Sequence, residues 1–219
     1  MKKAASAAFF SSITTTGDPM QLIGMFDSPY VRRTAISLDL LGIGFEHRPL
    51  SVFRDFDAYA EVNPVVKAPT LVLDDGTCLM DSNLIIDYAQ CLAGRALLPD
   101  APAERARVLA RVGLALAACE KTMQMVYEFK LRPPERQHQP WLDRVQGQLL
   151  GACSLLERAC DAAPAGAQPG TIDQGGISTA VAWGFMQLMV PQVVQAELYP
   201  RLTAWSAWAE TLPALRRYP

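Results

Sequence analysis

Few residues of this chain could carry chemistry, and their types narrow it quickly. Five cysteines (Cys78, Cys91, Cys119, Cys153 and Cys160) are scattered without a C-x-x-C pair, and an odd number cannot all pair within one chain. That usage fits a reducing compartment. His47 and His138 are the only histidines, and neither stands beside a second plausible ligand, so a zinc site has no support and no metal is expected. What remains is a set of hydroxyls, carboxylates and one lysine at the edges of regular structure. Ser28 precedes Pro29, and Asp81-Ser82 precede an apolar helical run; both are ordinary helix N-caps, a role that needs no catalysis. Lys67 stands before Ala68-Pro69, where Pro69 can begin an edge strand and Lys67 can be a solvated surface cation.

These residues must be positioned by the elements around them. An apolar run of strand length at 21–26 leads through Asp27 and Ser28 into a helical pattern with Val31, Ala35, Leu38 and Leu41 on one stripe, which Gly42 ends. Residues 43–50 alternate as a second strand, and a weaker helix is expected at 53–61. Segments 69–73 and 77–80 flank Asp74-Asp75-Gly76 as a β-hairpin, and Leu84, Ile85, Tyr88 and Leu92 form the face of a helix stopped at Gly94. The order is β-α-β-α-β-β-α: two parallel strands joined by a helix, with the hairpin adding an antiparallel edge. The domain limits are read as an extension at 1–19, an α/β domain at 20–95, a linker at 96–102 and an all-helical domain at 103–219. Helical periods in the last run at 103–131, 140–162, 171–190 and 199–212, broken at Pro133-Pro134, 164–170 and Pro191. Thr171 with Gln174 three residues on reads as a capping box for the third of these.

Composition excludes several classes. The chain has 219 residues, 20 basic and 22 acidic, for a net charge of −2, which gives no bulk attraction for nucleic acid. Its longest apolar stretch, 177–190, is interrupted by Ser178, Thr179, Gly184 and Gln187 and falls short of the roughly 20 residues of a membrane span. Neither nucleic acid nor membrane is expected as a partner. Lys2 and Lys3 before a short apolar run only faintly suggest a secretory signal, so 1–19 is taken as a disordered extension.

The succession DSPYVRR (27–33), NPVVKAP (63–69) and DDGTCLMDS (74–82), with RPPERQHQPWLDR (132–144) in the helical half, resembles the bacterial cytosolic glutathione transferases over residues 21–219. The resemblance implies a thioredoxin-like α/β domain followed by an all-α domain, with glutathione as co-substrate, a cytoplasmic location and a homodimer. Ser28 would give its hydroxyl to the glutathione sulfur, as in serine-type relatives. A cis Ala68-Pro69 bond would turn the backbone of Ala68 toward the cysteinyl part, and Lys67 could meet a glutathione carboxylate. Asp81 would face the γ-glutamyl ammonium while Ser82 and helix N–H groups take its carboxylate. Arg54, after the second strand, would offer a further contact. Met123 and Tyr127, one turn apart, would face the electrophile, although methionine and aromatic residues at helical spacing also fill cores. S-P-Y-V at 28–31 replaces the C-x-x-C of a dithiol enzyme, which disfavours disulfide exchange through a protein cysteine. Val66 stands where relatives often have glycine. The expected activity is transfer of glutathione to a small, hydrophobic electrophile; the alternative is a non-catalytic binding or regulatory protein of the same fold.

Overall fold

The computed structural model describes residues 19–160 and 172–219. The leader at 1–18, the break at 164–170 and Thr171 lie outside the described residues.

The first half runs β1 (Gln21–Ile23), α1 (Pro29–Leu41), β2 (Glu46–Arg48), α2 (Phe56–Val62), β3 (Thr70–Val72), β4 (Cys78–Met80) and α3 (Ser82–Ala93). The sheet order is β2-β1-β3-β4, with β1 and β2 parallel and the β1–β3 and β3–β4 pairs antiparallel. This is the thioredoxin-like arrangement expected. The strands are shorter than the apolar runs: β1 stops at Ile23 because Gly24 takes φ +135°, and β2 can pair only along the three residues that β1 offers. Helix α1 starts at Pro29 behind Ser28, its N-cap, and ends at Gly42 with φ +78°. Its apolar face packs Val31, Ala35, Leu38 and Leu41 against Leu22, Leu71, Ile85 and Ala89, which is the core of this half.

The second half is helical: α4 (Pro102–Leu131), α5 (Gln139–Ala159), α6 (Gln174–Met189), α7 (Pro200–Ala209) and α8 (Pro213–Arg217). Two readings from the sequence are corrected here. The cap of α6 is Asp173, whose Oδ1 accepts from Gly176 N (2.7 Å) and whose Oδ2 meets Arg111 Nη2 (2.6 Å). Gln174 is therefore the first helical residue and makes no capping box; its Oε1 accepts from Ser37 Oγ of α1 at 3.1 Å. The last helix, expected over 199–212, ends at Ala209, and a separate short helix starts at Pro213, whose ring fits a first turn. Helix α6 is buried on nearly every side. Gly176 allows this closeness, since a Cβ there would lie 2.8 Å from both Ile172 and Trp205.

The halves are joined through α1. Arg32 donates from Nη1 and Nη2 to the two carboxylate oxygens of Glu210 (2.9 and 2.7 Å) and from Nε to Tyr218 O (2.6 Å). Its neighbour Arg33 reaches Ser178 of α6.

Gly24 sits where β1, α1 and the loop before β3 converge. A Cβ there would lie 2.6 Å from Val31 Cγ2 and 3.2 Å from Ala68 Cβ, at a φ open only to glycine. Gly24→Ala is expected to cost at least about 2 kcal/mol in urea unfolding, and an unchanged midpoint would contradict the packing described.

Candidate functional site

Two clefts lie between the α/β half and α4, and they meet. The first, of about 480 Å³, is bounded by Lys67, Ala68 and Pro69, by Asp81, Ser82 and Asn83 at the start of α3, and by α4 from Gly113 to Glu120. The second, of about 750 Å³, runs from Met25 and Ser28 past Phe53 and Val66 to Met123, Val126 and Tyr127 of α4 and Phe185 and Met189 of α6. Tyr30, Lys67 and Ala68 line both. The first cleft is polar at its α3 end, and the second is walled mainly by apolar side chains.

Ser28 caps α1 and lies at the mouth of the second cleft. Its Oγ accepts a long 3.5 Å bond from Val31 N, so the hydroxyl hydrogen remains available beside the positive end of the helix dipole. The Ala68-Pro69 bond is cis, as the resemblance implied. Neither the N–H nor the C=O of Ala68 has a hydrogen-bond partner among the described residues. The carbonyl of the preceding Lys67 is held firmly instead: it accepts from Tyr59 Oη (3.1 Å) and Thr70 Oγ1 (2.8 Å), and Thr70 is held in turn by Asn63 Nδ2 (2.9 Å). Val66 has φ +51°, the left-handed region, which accounts for glycine suiting this position.

Asp81, at φ +74°, caps α3: Oδ1 accepts from Asn83 N (2.9 Å), and Oδ2 pairs with Lys67 Nζ (3.2 Å). Ser82 is buried, and its Oγ accepts from Arg33 Nη1 at 2.7 Å. Arg33 is itself only 2% exposed, and burial pushes its pKa down to about 10, which still leaves it charged at neutral pH. Met123 and Tyr127 both border the second cleft, where the Tyr127 ring meets Phe53 edge-on at 5.9 Å. Arg54 is the exception among the expected residues. It is exposed, reaches only Met25 Sδ (3.8 Å) and lines neither cleft.

Among the residues that the sequence reading missed, four polar ones border or support the first cleft. Glu120 of α4 lines the first cleft, opposite the α3 end. Tyr30 lies at the junction; burial first, then the nearby Cys119, Glu120 and Asp81, pushes its phenol well up, so it stays neutral and can donate. Asn83 borders the first cleft, and Arg33 lies beneath it. Tyr30 and Arg33 belong to the DSPYVRR motif, but nothing local distinguishes a buried arginine from an exposed one.

Comparison with known proteins settles the family. Residues 22–96 match the family model described as glutathione S-transferase, N-terminal domain. The uncharacterized GST-like protein YibF of Escherichia coli (strain K12) is 32% identical over 139 residues, 63% of this chain and 68% of that protein. The chain belongs to the glutathione S-transferase family. A maleylacetoacetate isomerase of Pseudomonas aeruginosa is 30% identical over 146 residues, again 63% of this chain and 69% of that one. A glutathione transferase family member from Pseudomonas fluorescens Pf-5, solved with bound glutathione, has a TM-score of 0.76 at 29% identity, over 91% of this chain and 98% of that chain.

In this glutathione S-transferase family member the protein's own thiols are poorly placed for nucleophilic work. Cys119 and Cys153 are buried, and burial pushes both thiols up to about 12, so neither is a thiolate at neutral pH. Cys78 and Cys91 are exposed and line neither cleft. Alkylation of the native protein with iodoacetamide, read by peptide mass spectrometry, is expected to modify Cys78 and Cys91 first and Cys119 and Cys153 only after unfolding. Native labelling of Cys119 as fast as Cys91 would contradict the burial.

Proposed function

We propose that this chain is a glutathione S-transferase in activity as well as in family, binding the tripeptide across both clefts and directing its sulfur at a small hydrophobic electrophile. The observation that carries the reading is the position of Ser28: its hydroxyl, free to donate, lies at a helix N-terminus in the apolar cleft, two residues before Tyr30, which borders both clefts.

The γ-glutamyl end belongs in the first cleft. Its ammonium faces Asp81 and Glu120, and its carboxylate meets Ser82 and the start of α3. The cysteinyl unit pairs with the free backbone of Ala68, and Lys67 is available to a ligand carboxylate. Its surface pairing with Asp81 is half-exposed on both sides and therefore weak enough to exchange. The sulfur then falls near Ser28. A free thiol of pKa near 8.5 is only about 3% ionised at pH 7, and half ionisation needs a shift of about 1.5 units, roughly 2 kcal/mol. One hydrogen bond to a charged sulfur together with a helix N-terminus is of that size. The thiolate attacks the electrophilic carbon; a sulfur–carbon bond forms, and the electron pair leaves with the displaced group or moves onto the acceptor. Met25, Phe53, Met123, Tyr127, Phe185 and Met189 suit an apolar substrate.

A homodimer is part of the same reading. Leu84, Tyr88 and Leu92 stand one turn apart on α3 and are 63%, 37% and 54% exposed, an apolar stripe suited to a second copy. Leu84→Glu is expected to shift the mass measured by light scattering from dimer to monomer; a wild-type chain that is already monomeric at micromolar concentration would contradict it. The odd number and scatter of the cysteines, without a C-x-x-C pair, fit a cytoplasmic setting.

The functional test joins two assays. Immobilised glutathione should retain the protein, and a generic aromatic electrophile should be consumed in its presence. Ser28→Ala should lower kcat/KM by about 10- to 100-fold with glutathione affinity changed less than about threefold, because the interaction lost belongs to the thiolate. Unchanged turnover would overturn the serine role, and retention without turnover by the wild type would favour a binding or regulatory protein.

A further inference from the structure

Arg33 is a buried cation with no carboxylate in contact; Asp81 acts on it only through space. Among the described residues no carboxylate lies within ion-pairing distance of it. Its partners are neutral oxygens: Nη1 donates to Ser82 Oγ (2.7 Å) and Asn83 Oδ1 (2.9 Å), and Nε to Ser178 Oγ (3.2 Å). Burying an unpaired charge is costly, and proteins that keep one gain something from it or place an anion nearby.

The geometry constrains its neighbours. A guanidinium has only donors, so each oxygen it contacts must accept. A hydroxyl oxygen held as acceptor sends its hydrogen elsewhere, and an amide whose carbonyl is held turns its NH₂ away. Ser82 and Asn83 both line the first cleft. With Arg33 behind them occupying an acceptor site on each oxygen, their hydrogens turn toward the cleft as donors.

We propose that Arg33 is a positioning residue: by fixing the Ser82 hydroxyl and the Asn83 amide as donors, and by leaving its own positive charge unneutralised beneath them, it makes this end of the cleft selective for a carboxylate. This rests on the glutathione reading, in which that carboxylate is the α-carboxylate of the γ-glutamyl residue. Without the guanidinium, Ser82 can accept as readily as donate and Asn83 can turn its carbonyl into the cleft. The end would then admit a neutral group almost as well as an anion. The ligand's carboxylate, in turn, provides the negative charge that Arg33 lacks.

The test uses the full chain and two probes: glutathione, and the analogue in which 4-aminobutyryl replaces γ-glutamyl, which keeps the ammonium and lacks only the α-carboxylate. Calorimetry on the wild type should show glutathione bound about 10- to 100-fold more tightly, the range for hydrogen bonds to a charged group. In Arg33→Met that ratio should collapse to within about threefold, with affinity for the analogue changed less than about threefold. A merely structural role would weaken both probes together and keep the ratio, which would overturn the proposal. Circular dichroism checks that the variant is folded. If it is not, Arg33→Lys, which keeps the charge but lacks the planar fork that spans Ser82, Asn83 and Ser178, should still lose part of the ratio; full retention there would overturn it too. Failure of the wild type to bind glutathione would remove the glutathione reading and this inference with it. Tight binding of both probes alike would leave that reading standing and overturn only the role of Arg33.

Discussion

Arg32 and Arg33, consecutive on α1, tie the α/β half to the helical half by different physics. Arg32 meets Glu210 through two parallel N–H···O bonds and also donates to the carbonyl of Tyr218, so its charge is neutralised where it is partly buried. Arg33, one residue on and deeper, is satisfied in hydrogen bonds but not in charge. Between them they fix α1 against α3, α6 and the C-terminal segment. That matters because the same helix carries Ser28 at its N-cap and Tyr30 in its first turn. The distance from Ser28 to α4, and hence the width of the cleft, depends on how α1 is held.

The site is therefore assembled from groups whose charge state is set by their surroundings rather than by catalytic residue types. Burial pushes the phenols of Tyr30 and Tyr59 up, so both stay neutral, and Tyr59 donates to the carbonyls of Ile23 and Lys67. Cys119 and Cys153 are kept protonated by burial. Lys67 and Asp81 are half-exposed, and their ion pair is weak enough to exchange with a ligand. Among the described residues, no cysteine borders either cleft to serve as a nucleophile. The proposed chemistry assigns that part to the bound tripeptide and leaves the protein the task of stabilising a charge.

Much of this was readable in the sequence, for physical reasons that differ by residue. Ser28-Pro29, Gly42 and Gly94 are local signals, because capping and left-handed turns are decided within four residues, and the structure places all three at helix ends. The hairpin around Asp74-Asp75-Gly76 and the crossover between β1 and β2 follow from turn chemistry and handedness, and the sheet has that order. Strand lengths were overestimated because an apolar run marks burial, not pairing. The α6 cap is Asp173 rather than Thr171, and Asp173 is also held by Arg111, a contact 62 residues away in sequence that no local pattern reveals. Arg33 was invisible for the same kind of reason: its bond to Ser178 spans 145 residues, and no local spacing reveals it. Arg54 shows the converse, a residue suggested by resemblance that lies outside both clefts.

The central claim is that Ser28, at the N-terminus of α1, stabilises a thiolate that the ligand brings. The most direct measurement is an ultraviolet pH titration of the glutathione thiolate bound to the wild type and to Ser28→Ala. The account predicts a bound thiol pKa well below the free value near 8.5 in the wild type, returning toward it in the variant. The thiolate would then be populated at lower pH in the wild type than in solution. A bound thiol that titrates like free glutathione in the wild type, or equally shifted values in both proteins, would contradict it.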